Sequence, residues 1–254
     1  MRKILLYFAL KYNGDYSSIL KAIKEKEYVS EKELIGIEDK IKSKYLTILD
    51  EDYPSELKNI GTPPIVLFYY GNIKLLKGNN KVAIIGTRKN TTYGSVMAIK
   101  IVNGLKKYNA TVISGLAIGI DSIAQNEAIK NDINTIAVLG SGIDNCYVKS
   151  NEGLYEKIKE NGLVISEYPN NTNPLPQNFL IRNRIIAAIS EYIIVVEAKY
   201  KSGTMNTVAY GLEFGKEIYC VPTLATSNSG CNMLIKQGAC LLESADDLFA
   251  IKKD

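Results

Sequence analysis

Lys81-Val82-Ala83-Ile84-Ile85-Gly86-Thr87-Arg88 is a short β-branched run closed by a glycine and a hydroxyl residue. Its apolar residues follow one another without polar alternation, the pattern of a strand buried on both faces. Similar runs recur at 111–113, 135–139, 163–165, 192–196, 218–221 and 239–242. Helical patterns fill the gaps near 93–107, 120–130, 151–161, 178–189, 204–214 and 230–237, with a last one near 244–251. Buried runs alternating with amphipathic helices predict a mainly parallel sheet with helices on both faces, a Rossmann-like α/β domain over residues 81–254.

Upstream the pattern changes. Tyr53-Pro54, Gly61-Thr62-Pro63-Pro64 and Gly78-Asn79-Asn80 are turn signals around one apolar run, Ile65 to Tyr70, so residues 46–80 read as a linker or extension with one short strand. Residues 1–45 carry Ile19, Leu20, Ile23 and then Leu34, Ile37, Ile41 at helical spacing, which predicts a small helical N-terminal domain. The lysines and glutamates of 21–44 alternate as on a solvated helix face.

Composition excludes several chemistries. The chain of 254 residues contains no histidine, which removes Ser-His-Asp and Cys-His catalysis and His-ligated zinc. Its four cysteines, Cys146, Cys220, Cys231 and Cys240, have no CxxC spacing and read as thiols of a reducing cytosol; no metal or cofactor is expected. The apolar stretch after Met1-Arg2-Lys3 is too short for a secretory leader and is closed by Lys11, so a cytoplasmic location without a membrane span is expected. The net charge of +4 is spread along the chain, so a nucleic-acid site must be a local concentration of charge. Arginine is scarce: Arg2, Arg88, Arg182 and Arg184 are the only four, and a guanidinium kept among many lysines points to a planar, multidentate contact.

In a doubly wound sheet, ligands bind beyond the carboxyl ends of the strands. There this sequence places Gly86-Thr87-Arg88, Ser114-Gly115, Gly140-Ser141-Gly142 and Lys201-Ser202-Gly203-Thr204. Glycines and hydroxyls ahead of helices leave N–H groups for an anion, or else simply satisfy tight turns. The dinucleotide fingerprint is incomplete and no P-loop occurs. A further segment sets Phe179 beside Arg182-Asn183-Arg184 at the start of a helix. By helical period the two arginines diverge, so that one can face a ligand while the other pairs inside, with Glu197 or Asp121. Phe179 can stack on a base or belong to the core.

These motifs stand in an order that resembles the DNA-processing protein A (DprA/Smf) family: Val82 to Arg88 with Tyr93-Gly94, Ser114-Gly115-Leu116-Ala117 with Gly119-Ile120-Asp121, Ser166-Glu167-Tyr168-Pro169, Phe179 with Arg182-Asn183-Arg184, and Val195-Val196-Glu197-Ala198 with Lys201 to Thr204. Asp52-Tyr53-Pro54, Pro63-Pro64 and Gly71-Asn72 extend the resemblance to about residues 46–254. It implies a cytoplasmic, non-enzymatic protein that binds single-stranded DNA and loads the RecA recombinase onto it in natural transformation, usually as a homodimer. The resemblance further implies that Arg88 clamps a phosphate, that Ser114-Gly115 and Ser202-Gly203-Thr204 donate to others, that Phe179 stacks, and that Arg182 or Arg184 adds charge. Departures from the family are Ile118 for a basic residue, Gln125 for a histidine, Leu180 for a proline, and Pro176-Gln177 where a basic residue precedes the Phe. No C-terminal winged helix is expected before Asp254.

Two other readings compete. One is a nucleotide-acting enzyme of the Lonely-Guy phosphoribohydrolase type, disfavoured because Met205, Asn206 and Thr207 stand where its catalytic glutamate would be. The other is a protein-only adaptor that has lost DNA binding, suggested by Ile118 and the modest charge.

Overall fold

The computed structural model describes residues 1–170, 172–225 and 228–249; the end of the helical pattern expected near 244–251 lies outside them. In chain order the elements are α1 (Arg2–Lys11), α2 (Tyr16–Lys24), α3 (Glu31–Leu34), β1 (Lys44–Thr47), α4 (Ser55–Lys58), β2 (Val66–Gly71), β3 (Lys81–Gly86), α5 (Thr92–Leu105), β4 (Thr111–Ser114), α6 (Ile120–Lys130), β5 (Thr135–Val138), α7 (Glu152–Asn161), β6 (Leu163–Ser166), α8 (Pro176–Ile189), β7 (Tyr192–Glu197), α9 (Gly203–Glu213), β8 (Glu217–Cys220), α10 (Gly230–Lys236) and β9 (Cys240–Leu241). Short 3-10 turns punctuate them, one of them at Ala245–Leu248.

One sheet of nine strands runs in the order β1-β2-β6-β5-β4-β3-β7-β8-β9. From β6 to β9 every pairing is parallel, as the uninterrupted apolar runs require. Side chains alternate between two cores. Ala83, Ile85 and Val195 pack under Ile185, Ile189 and Val208 of α8 and α9, whereas Val82, Ile84 and Val196 face Ile101 and Ala124 of α5 and α6. Local chemistry sets the helix starts: the Thr91 hydroxyl accepts from the Gly94 N–H at α5, and Pro176 opens α8, where a missing N–H costs nothing.

The segment 46–80 is more than a linker. β2 pairs antiparallel with β6, and β1 pairs antiparallel with β2, so two strands extend the main sheet. The physical reason is that β2 is buried on both faces: Leu67 enters the core under α8, and Val66 and Phe68 enter the opposite one. That opposite core also holds Leu6, Phe8 and Ile19, so the N-terminal helices share buried surface with the sheet.

Candidate nucleic-acid interface

The chain leaves β3 toward β4 on one side and leaves β7 toward β8 on the other, so the sheet's switch point lies between β3 and β7. That is where an open α/β sheet forms a crevice at its carboxyl edge. Three contacts lock its walls: the Thr87 N–H donates to the Glu197 carbonyl (2.7 Å), the Thr204 hydroxyl to the Gly86 carbonyl (3.1 Å), and Thr91 donates through N–H and hydroxyl to the Glu197 carboxylate (2.9 and 3.0 Å). A cleft of about 480 Å³ opens between them. Arg88, Lys89, Lys199 and the N-terminus of α9 at Ser202-Gly203-Thr204 line it, and Lys201 is exposed beside it. The Ser202 hydroxyl is buried without a protein hydrogen-bond partner. Exposed cations and a helix N-terminus on one wall make a surface for an anion.

Phe179, in the first turn of α8, is half-buried and forms a wall between this cleft and a second, smaller recess. The Arg88 guanidinium lies 5.8 Å from its ring centroid and the Tyr147 ring 5.4 Å from it. Gly140 permits this placement, because a Cβ there would meet Phe179 Cδ1 at 2.7 Å and Phe179 Cα at 3.0 Å. Neither expectation for Phe179 fits alone: the ring is supported by the fold on one side and open on the other.

Several expected contact residues are occupied by the protein itself. The Ser114 hydroxyl is buried and donates to the Ile84 carbonyl (2.7 Å). The Gly115 N–H donates to Asp121 Oδ2 (3.1 Å), so the anion at this loop is the chain's own carboxylate. Arg182 is 4% exposed and donates to the carbonyls of Gly115 and Val138. Burial pulls its pKa down to about 10, with the Asp121 charge opposing; burial likewise raises the Asp121 carboxyl, against the pull of Arg182 and the Gly115 N–H. Arg184 is 2% exposed and forms a bidentate pair with Glu167 (2.8 and 2.5 Å), while its Nε donates to the Thr62 carbonyl (2.9 Å). Burial works against that charge, yet the bonds to Glu167 carry its pKa above the usual value. Asn183 is buried and donates to Asn206 Oδ1 (3.2 Å). Both arginines of α8 therefore turn inward, and neither pairs with Glu197, whose carboxylate caps Thr91. Gln125 is likewise internal: its amide bridges the Leu116 N–H to Thr135 and the Ile136 carbonyl.

Lys89, Lys199 and Tyr147 join the interface although sequence reasoning did not single them out. Lys89 follows Arg88 directly and Lys199 lies two residues before Lys201, so proximity to those motifs was the available signal. Tyr147 had none, because it reaches Phe179 only through the fold of the loop after β5. The largest cavity, about 1000 Å³, lies elsewhere, between the α1–α2 turn and the start of α8. Its cationic side chains are Lys40 and the already paired Arg184, so it gathers no charge for a polyanion.

Fold and site together define a Rossmann-type α/β protein whose switch-point crevice joins exposed cations to an aromatic wall. Residues 44–252 match the family model described as DNA recombination-mediator protein A, and the chain belongs to that family. It is 40% identical over 206 residues to DNA processing protein DprA of Streptococcus pneumoniae, covering 80% of this chain and 72% of the relative. It is also 40% identical over 211 residues to protein Smf of Synechocystis, of which it spans 53%. The solved DprA structure from S. pneumoniae superposes with a TM-score of 0.80 at 33% identity, over 98% of this chain and 92% of that one. DNA processing protein A from Helicobacter pylori, whose structure concerns its single-stranded DNA binding mode, gives 0.75 at 31% identity over 83% of this chain and 96% of that one. Membership places the chain among proteins named for DNA processing rather than for a catalysed reaction. Among the described residues no helix is long and apolar enough to cross a membrane.

Proposed function

We propose that this chain binds single-stranded DNA along the switch-point cleft and acts as a recombination mediator, loading RecA recombinase onto incoming strands in natural transformation. The Arg88–Phe179 pair carries this reading: an exposed guanidinium and an open aromatic face at one crevice are what a single strand's phosphates and bases require. Gly86, Thr87, Arg88, Lys201, Ser202, Gly203 and Thr204 follow the backbone and Phe179 stacks on a base. Ser114, Gly115, Arg182, Asn183 and Arg184 hold the cleft in shape from beneath. The protein works in the cytoplasm as a homodimer, without cofactor or metal. The H. pylori relative, described for its single-stranded DNA binding, supports the ligand class.

Salt-titrated anisotropy tests the binding. Oligothymidylate is expected to bind in preference to duplex, with log K falling by about 0.7 per phosphate contact per decade of salt. Equal affinity for duplex would overturn the assignment. Nucleation of RecA on strands pre-coated with a single-strand-binding protein tests the mediator role: no acceleration on adding this protein would remove it.

A further inference from the structure

Behind the Arg88–Phe179 pair lies the second recess, about 160 Å³, entered beside the cleft and sharing both residues with it. Its remaining walls include Ile118, Leu139, Cys146 and Tyr147. Sites that enclose whole drug-sized ligands run from roughly 300 to 1,000 Å³, so this one has room for a ring system and not for a nucleotide with its sugar and phosphate. Its polar groups are already committed. The Ser141 hydroxyl donates to the Asn145 carbonyl (2.7 Å), and the Cys146 thiol, pushed up by burial and therefore neutral, donates to the Val148 carbonyl (3.4 Å). What remains for a guest is apolar surface and two tilted rings. Ile118 and Tyr147, each 53% exposed, form a lip that no other part of the described chain covers.

Resting on the reading of the cleft as a single-strand site, we infer that this recess receives one nucleobase turned out of the bound strand. The base lies between Phe179, Tyr147 and Ile118 while its own phosphate meets Arg88 at the mouth. Continuity carries the assignment: a strand whose backbone follows the cationic cleft passes the opening at Arg88, and the recess on the far side of Phe179 is then the apolar volume within reach of its bases. The committed hydrogen-bond groups make the pocket sequence-tolerant, holding a base by stacking rather than by reading its edges. Ile118, at a position where the family carries a basic residue, takes the part of a packing surface there instead of a phosphate contact.

A double-mutant cycle between Tyr147→Ala and removal of the bases tests this, with oligothymidylate and an all-abasic strand of equal length as the probes. The wild-type chain should bind oligothymidylate at least tenfold more tightly than the abasic strand. Tyr147→Ala should cost about tenfold on oligothymidylate, the scale of one lost base stack, and less than twofold on the abasic strand. Tyr147 is half-exposed and makes no main-chain contact that the fold depends on, and thermal melting of the variant checks that it folds as the wild type does. Equal affinity of the wild type for both strands, or equal loss on both in the variant, overturns the base pocket while leaving the phosphate cleft standing. Failure to bind either strand removes both.

Discussion

The Arg88 guanidinium lies 5.8 Å from the centroid of the Phe179 ring, bringing the loop after β3 against the first turn of α8. The pair divides two tasks: the exposed guanidinium meets phosphate, and the ring meets a base. Arg88→Ala should weaken single-strand binding and flatten its salt dependence by about 0.7 in log–log slope for the lost contact. Phe179→Ala should cost about 1–3 kcal/mol of binding with the slope unchanged, because stacking releases no counterion. Anisotropy titrations at several salt concentrations separate the two. Because Arg88 is exposed, its removal should leave stability within about 0.5 kcal/mol of the wild type.

Gly119 supports the Arg88 loop from below. It begins α6 at φ +91°, and a Cβ on it would stand 2.3 Å from the Thr87 carbonyl oxygen and 2.8 Å from Arg88 Cα. Both neighbours are backbone, so Gly119→Ala must displace the loop or strain itself. The expected result is a loss of about 1–3 kcal/mol in urea unfolding together with weakened DNA binding. Unchanged affinity would show that the loop tolerates the shift.

Arg184 distinguishes a phosphate contact from a structural ion. Removing one member of a buried pair strands the other charge, here Glu167, at a cost of about 3–5 kcal/mol. Arg184→Ala should therefore lower urea stability sharply, while protein that remains folded binds single strands with the wild-type salt slope. A flattened slope would place Arg184 at the strand after all. Pairing Arg184→Ala with Glu167→Gln should recover part of the lost stability, since the orphaned charge is then gone.

The strands from β3 onward were legible because burial on both faces forces unbroken apolar runs, which need no knowledge of the partners. β1 was not: Lys44-Tyr45-Leu46-Thr47 mixes polar and apolar residues, and it becomes a strand by pairing with β2, a non-local event. The same limit governs the arginines. Helical period shows that Arg182 and Arg184 diverge, but whether their targets are phosphates or the chain's own groups depends on β4, β5 and the loop after β6, which sequence spacing does not locate. Ser114-Gly115 was rightly placed at an anion-binding turn, and its anion, Asp121, is supplied six residues later by the first turn of α6.

At the opposite end of the chain, Glu33 ties α3 to α1. Its carboxylate accepts from the Tyr7 hydroxyl (2.6 Å) and from the Ser30 N–H (2.9 Å) in a capping box, and these bonds, Tyr7 first, hold its pKa down to about 2 from the ordinary 4.5. The same hydrogen bond raises the Tyr7 phenol, so both partners agree in direction. A carboxyl depressed in the folded state contributes fully above its unfolded value, and the contribution is lost as pH falls through the folded value. The clasp should thus hold above about pH 4.5 and loosen progressively between there and about pH 2. Carbon-detected NMR titration of the Glu33 carboxyl should show the low midpoint, and Tyr7→Phe should move it upward while the Ser30 bond keeps it below 4.5. Because the pair is exposed, the change should appear as local loosening of α3, read by amide exchange at residues 30–34, with the sheet's protection unaltered.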